Sequence, residues 1–253
     1  MHRSRRIALA AAGVLSVLAL PSGALAADGH GASDLQCQST TPVYTGTYDN
    51  VNVPPGQTCN LSGATIYGNV TVQTAGSVDF TGSGTVGGNL LVGSQGTAYE
   101  DTGWTIGGTA FGNSAGSLSI AGTVHGIVAN KTQTLSLSSA RVDGGVLSNQ
   151  GVFGGVIGSS VITGSVVING TTGGSGIAAT WFIAGPQLDG SPQDIRGNLV
   201  FTGNQGPAYI YDNHIHENLV CEGNTPPPFD SVGGFGNTVD GRSVGQCATT
   251  NPA

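Results

Sequence analysis

Positive charge is nearly missing from this chain. Lysine and arginine together number 7 among 253 residues, and Arg3, Arg5 and Arg6 already lie within the first six positions. From Ala27 onward only Lys131, Arg141, Arg196 and Arg242 remain against 14 acidic side chains, a balance of 4 − 14 = −10. Nucleic acid and anionic membrane are poor partners for such a surface, because binding either depends on neutralising phosphates with Lys and Arg. Charge of both signs amounts to 8%, about a third of the usual share. Valine, isoleucine and leucine nevertheless remain plentiful, so a packed core is expected rather than disorder. No C-x-x-C spacing occurs among the cysteines, which argues against a structural zinc site.

The chain begins with "MHRSRR", continues with the uncharged apolar run "IALAAAGVLSVLAL" and then reads "PSGALA". This is the layout of a secretory signal peptide, with Ala24 and Ala26 as the small residues of an A-x-A cleavage site. The run of about 14 residues is short for crossing a bilayer. A signal peptide over 1–26 is therefore expected, with secretion of residues 27–253 as one domain and no membrane span after cleavage. "SRRIAL" is a weak twin-arginine match.

What the chain has in abundance is glycine, 44 residues, and repetition. "TIYGNVTV" at 65–72 returns as "TVGGNLLV" at 85–92. Anchored on the apolar residue in second place, the copies fall at Ile66, Val86, Ile106, Val124, Val142, Ile162, Ile195, Ile215 and Val239, in steps of 20, 20, 18, 18, 20, 33, 20 and 24 residues. A period near 20 indicates a solenoid. Within one unit the apolar positions are Ile66, then Val70 and Val72, then Val78 and Phe80, three short runs of period two with no helical pattern between them. Three strands per turn predict an all-β, right-handed parallel β-helix of 18–20 residues per coil. The N-terminal cap and first coil are assigned to 27–64, the C-terminal cap to 222–253. Ile66 to Val142 should line one inner wall; Val70, Leu90, Ala110, Val128, Val146, Val166, Leu199 and Leu219 should line the next. The "GN" and "GG" pairs before the second strand are read as corners of positive φ.

Four cysteines allow three pairings. About eight coils at about 4.8 Å put Cys37 and Cys59 some 35 to 40 Å from Cys221 and Cys247, whereas bonded Cα atoms lie within about 7 Å. The straight solenoid thus permits only Cys37–Cys59 and Cys221–Cys247, closing the two exposed ends.

"NVPPGQTCNLSGATIYGNVTV" and "ENLVCEGNTPPP…GNTVDGRSVGQC" resemble a group of secreted, uncharacterised β-helix proteins of actinobacteria. The short valine-rich coils also resemble bactofilins, polymerising β-helices, but those lack a signal peptide and disulfide caps. The resemblance implies fold and location and brings no activity with it.

Outward residues of a solenoid stack into columns, so a function should show as an unusual column. One flanks the anchors. After them come Tyr67, Gly87, Gly107, His125, Asp143, Thr163, Arg196, His216 and Asp240, and before the later ones Arg141, Asp194, His214 and Thr238. "HIH" places His214 and His216 on one face, with Asp194, Arg196 and Asp240 about one coil away. This grouping suits a metal site or the acid–base pair of a polysaccharide lyase or hydrolase. Charged residues also face outward simply because the inside is apolar. No metal and no cofactor is assigned. The partial ladder Thr65, Thr85, Thr105, Thr123 lacks a second threonine column, so ice binding is not favoured.

The other column is the outward centre of the second strand: Thr71, Leu91, Phe111, Ala129, Leu147, Val167, Val200, Val220 and Val244. Apolar residues dominate where polar ones belong. Either a segment of the chain, around 184–194 or 222–236, covers this strip, or Leu91, Phe111, Leu147, Val167, Val200 and Val220 form a face for self-association or for a glycan or other cell-envelope surface. The expected role is a non-catalytic structural or adhesive protein; the alternative is a small polysaccharide-acting enzyme using His214, His216, Arg196, Asp194 and Asp240.

Overall fold

A computed structural model describes residues 31–38, 42–174, 176–185, 193–229, 231–232 and 235–248. The expected signal peptide lies outside the described residues, as do 186–192 of the expected covering segment.

The described chain is a parallel β-solenoid of about ten turns and about 20 residues per turn. Each coil contributes up to three short strands that pair in parallel with the same strands above and below. The first wall runs in register from Ile66 through Val86, Ile106, Val124, Val142, Ile162, Ile195 and Ile215 to Val239. The third stacks Leu61, Phe80, Glu100, Ile120, Leu137, Ile157, Ile183 and Ile210. One coil cannot bury its own apolar edge; stacking lets inward residues meet their copies while every ladder group finds a partner.

The second wall corrects one expectation. Val128 was placed inside and Ala129 outside, but Ala110 pairs with Ile127 and Phe111 with Val128. Ile127 and Ala129 are buried and Val128 faces outward. The cause is a bulge between Val124 and Gly126. The corner before the second strand is one residue shorter here than in neighbouring coils, and a one-residue slip exchanges the two faces.

The corner glycines serve a purpose other than the one expected. Gly68, Gly88, Gly108, Gly144 and Gly164 are absent from the residues of positive φ. Instead a Cβ at Gly88 or Gly108 would stand 2.6 Å from the carbonyl oxygen of the glycine one coil before. Their side-chain-free edges let successive coils close to sheet spacing. Positive φ occurs at the next corner, between second and third strands, at Ala75, Gln95, Ser114, Lys131 and Gln150 in successive coils.

Cys37 is bonded to Cys59 and Cys221 to Cys247, each with Cα atoms 5.4 Å apart. All four are buried, and the pairing is the one that the solenoid's length allows.

Candidate functional site

Two outer walls of the solenoid carry the residues singled out by the sequence, and they differ in kind. On the second wall Leu91, Phe111, Val128, Leu147, Val167, Val200, Val220 and Val244 form one unbroken register ladder. Seven steps of about 4.8 Å make it about 34 Å long. Leu147 is 38% exposed and Val244 37%, and the others are half-buried. Of the 222–236 segment, Phe229 bridges to Tyr209 on the third wall.

Polar columns flank the ladder. Two residues after it, in the four middle coils, stand Asn113, Asn130, Asn149 and Asn169, aligned in register, with Asn169 Nδ2 donating to Asn149 Oδ1 at 3.3 Å. Two before it, in the middle coils, come Thr109, Gly126, Gly145 and Ser165. The glycines leave a shallow depression of about 430 Å³, bordered by Thr109, His125, Val128, Leu147 and Val167. No charged side chain stands in the apolar ladder from Leu91 to Val220, while the amide column continues through Thr202 to Glu222, where it ends on a carboxylate.

On the first wall the same coils carry hydrogen-bonded charge. Register sets Asp194 opposite His214 and then Thr238, while Asp240 follows Val239, the partner of Ile215. Buried Ile215 separates the two histidines, so both rings project outward, stacked with centroids 4.1 Å apart. His216 Nε2 lies 2.7 Å from Asp194 Oδ1, and His216 Nδ1 3.4 Å from Asp240 Oδ2. His214 Nε2 is 3.2 Å from both carboxylate oxygens of Asp240. Arg196 Nε reaches the outer oxygen of Asp194 at 3.4 Å. The structure thus gathers all five residues of the expected cluster. Arg141 stands apart from it, paired with Asp143 at 2.6 Å. The threonine ladder is in register and extends to Thr47, still with no second threonine column beside it.

Two features were not read from the sequence. On the third wall Phe182, Tyr209 and Phe229 stack face to face outside the coil, centroids 4.9 and 5.3 Å apart. Following the Phe80 strand beyond the first coils would have exposed the companion column. The other is Glu100, 4% exposed inside the core, one 20-residue step from Phe80. Its Oε2 accepts from Gly122 N–H at 3.3 Å, and Oε1 has no hydrogen-bond partner among the described residues. Burial pushes the Glu100 carboxyl up to about 8, helped by the nearby charge of Asp101 and opposed by the Gly122 hydrogen bond. At neutral pH this group is largely an acid rather than a carboxylate.

No family model, no curated protein and no solved structure matches this chain, which leaves the geometry of its walls as the ground for any functional reading.

Proposed function

We propose that this protein is a non-catalytic, secreted β-solenoid that binds a neutral polysaccharide along its second wall. The unbroken apolar ladder from Leu91 to Val220, bordered by the amides of Asn113 to Asn169, carries this reading. A sugar chain offers apolar C–H faces and hydroxyl edges at regular intervals. An aliphatic strip meets the former, and a row of amides donates to and accepts from the latter.

A second copy of the chain fits less well. The strip offers about 300 to 500 Å² of apolar surface, whereas a stable interface needs about 800 Å² per partner. Two strongly acidic chains also repel each other. Two disulfides fit an oxidising compartment, and the leader-like N-terminus and the likeness to secreted actinobacterial β-helix proteins support export.

The test is co-sedimentation of the full chain with insoluble neutral and acidic polysaccharides. Retention on a neutral glycan that falls at least tenfold in Phe111→Asp/Leu147→Asp supports the reading. Absence of retention on every neutral glycan, or retention unchanged in the variant, overturns it. The enzymatic alternative draws on the 2.7 Å contact of His216 with Asp194, the geometry of an oriented general base. New reducing ends or unsaturated-sugar absorbance, lost in His214→Gln/His216→Gln, would replace the binding role by that one.

A further inference from the structure

We propose that Asp194, His214 and His216 form a binding site for a divalent transition-metal ion of the zinc type. The inference is independent of the polysaccharide wall, which lies on a different face of the coil. One donor atom from each of the three residues lies within 4.8 Å of the others. A tetrahedral zinc site with bonds of about 2.0 to 2.2 Å has ligand atoms about 3.3 to 3.6 Å apart. His216 Nε2 and Asp194 Oδ1 stand 2.7 Å apart, so they would part by about 0.6 to 0.9 Å to admit an ion. Gathering the three donors needs only rotations of side chains that are 28 to 38% exposed.

The backbone supplies the preorganisation. His214 and His216 alternate about buried Ile215 on one strand, and parallel register fixes Asp194 in the coil before. The donor set chooses the metal class. Two imidazoles and a carboxylate suit zinc, nickel or copper, whereas calcium asks for six to eight oxygens and magnesium for a water-rich octahedron. Asp240 acts as the outer partner, accepting from a histidine ring nitrogen that the metal leaves free, an arrangement that orients the ring and raises its basicity. Arg196 holds the far oxygen of Asp194 and leaves Oδ1 turned toward His216.

Isothermal titration of the untagged full chain with zinc chloride, and separately with nickel chloride, tests the proposal. One ion should bind per chain with a dissociation constant in the micromolar range or below. Asp194→Asn and His216→Gln should each weaken binding at least 30-fold, Asp240→Asn about 10-fold, and His125→Gln, on the same wall but remote from the cluster, should bind as the parent does. Circular dichroism of each variant confirms that the exposed substitutions leave the solenoid folded. Absence of saturable heat for both ions, or equal binding in parent and His216→Gln, overturns the site.

Discussion

The first and second walls of the C-terminal coils share one core and one backbone, yet their outer faces are chemically opposed. Around Ile215 the outward neighbours are His214 and His216, tied to Asp194 and Asp240. Four residues further along the same coil, Val220 stands outward in an aliphatic ladder. Inward positions on both walls are mostly aliphatic, with Phe201 and the buried polar Gln193 and Asn213 among them, because each must fill the space that the coil spacing leaves. Outward positions carry no such constraint, and only there do the walls diverge. The difference teaches that in a solenoid the core specifies where a column runs, while the outer residues specify what the column does.

The largest effect separates inside from outside on a single strand. Phe201 is buried and Val200, its neighbour, faces outward. Phe201→Ala should cost about 3 to 5 kcal/mol through the cavity that it leaves, and Val200→Ala less than about 1 kcal/mol. Urea denaturation of both variants checks the contrast; similar losses would show that the ladder is not a free outer face.

Next comes the ionisable group placed among the buried side chains. The Glu100 carboxyl is raised to about 8 from its ordinary value of 4.5, so folding favours the protonated form. Its contribution is complete below about pH 4.5, declines as pH rises, and is lost above about 8, a change of about 3 to 5 kcal/mol. Glu100→Gln should remove that slope. Denaturant midpoints of parent and variant between pH 4.5 and 9 measure it, and parallel profiles would show that Glu100 is solvated as a carboxylate.

Smaller in stability, but decisive for the second wall, is Phe111→Asp/Leu147→Asp. The fold should lose no more than about 2 kcal/mol. Unfolding of this variant would mean that the strip is covered in solution. Smallest of all is Asp194→Asn without metal: an exposed pair contributes about 0 to 1 kcal/mol, so the melting temperature should move by no more than about 3 °C. A larger drop would make the histidine cluster a structural element of the wall.

Much of this was legible in the chain. The 20-residue phrase beginning at Ile66 gave the coil, and period-two alternation gave the inward columns, because stacked identical edges must be apolar on one face only. The cysteine pairing followed from length alone. The "HIH" triplet brought His214 and His216 together because strand residues two apart share a face. What failed concerned the corners: their constant length, and the positive φ expected of Gly68, Gly88 and Gly108. Val128 and Ala129 exchanged faces through a single missing corner residue, which spacing between anchors does not record.

The period, the first inner column and the closure of both ends were thus readable from the chain, since each follows from local alternation and a fixed rise per coil. Tertiary structure alone decided the contacts between coils. It brought Asp194, His216 and Asp240 into hydrogen-bonding range across 46 residues of chain (240 − 194), stacked Phe182 on Tyr209 although the two lie 27 residues apart (209 − 182), and buried Glu100 between Phe80 and Ile120. Those placements depend on corner lengths and side-chain rotation, which become definite only when one coil lies on the next.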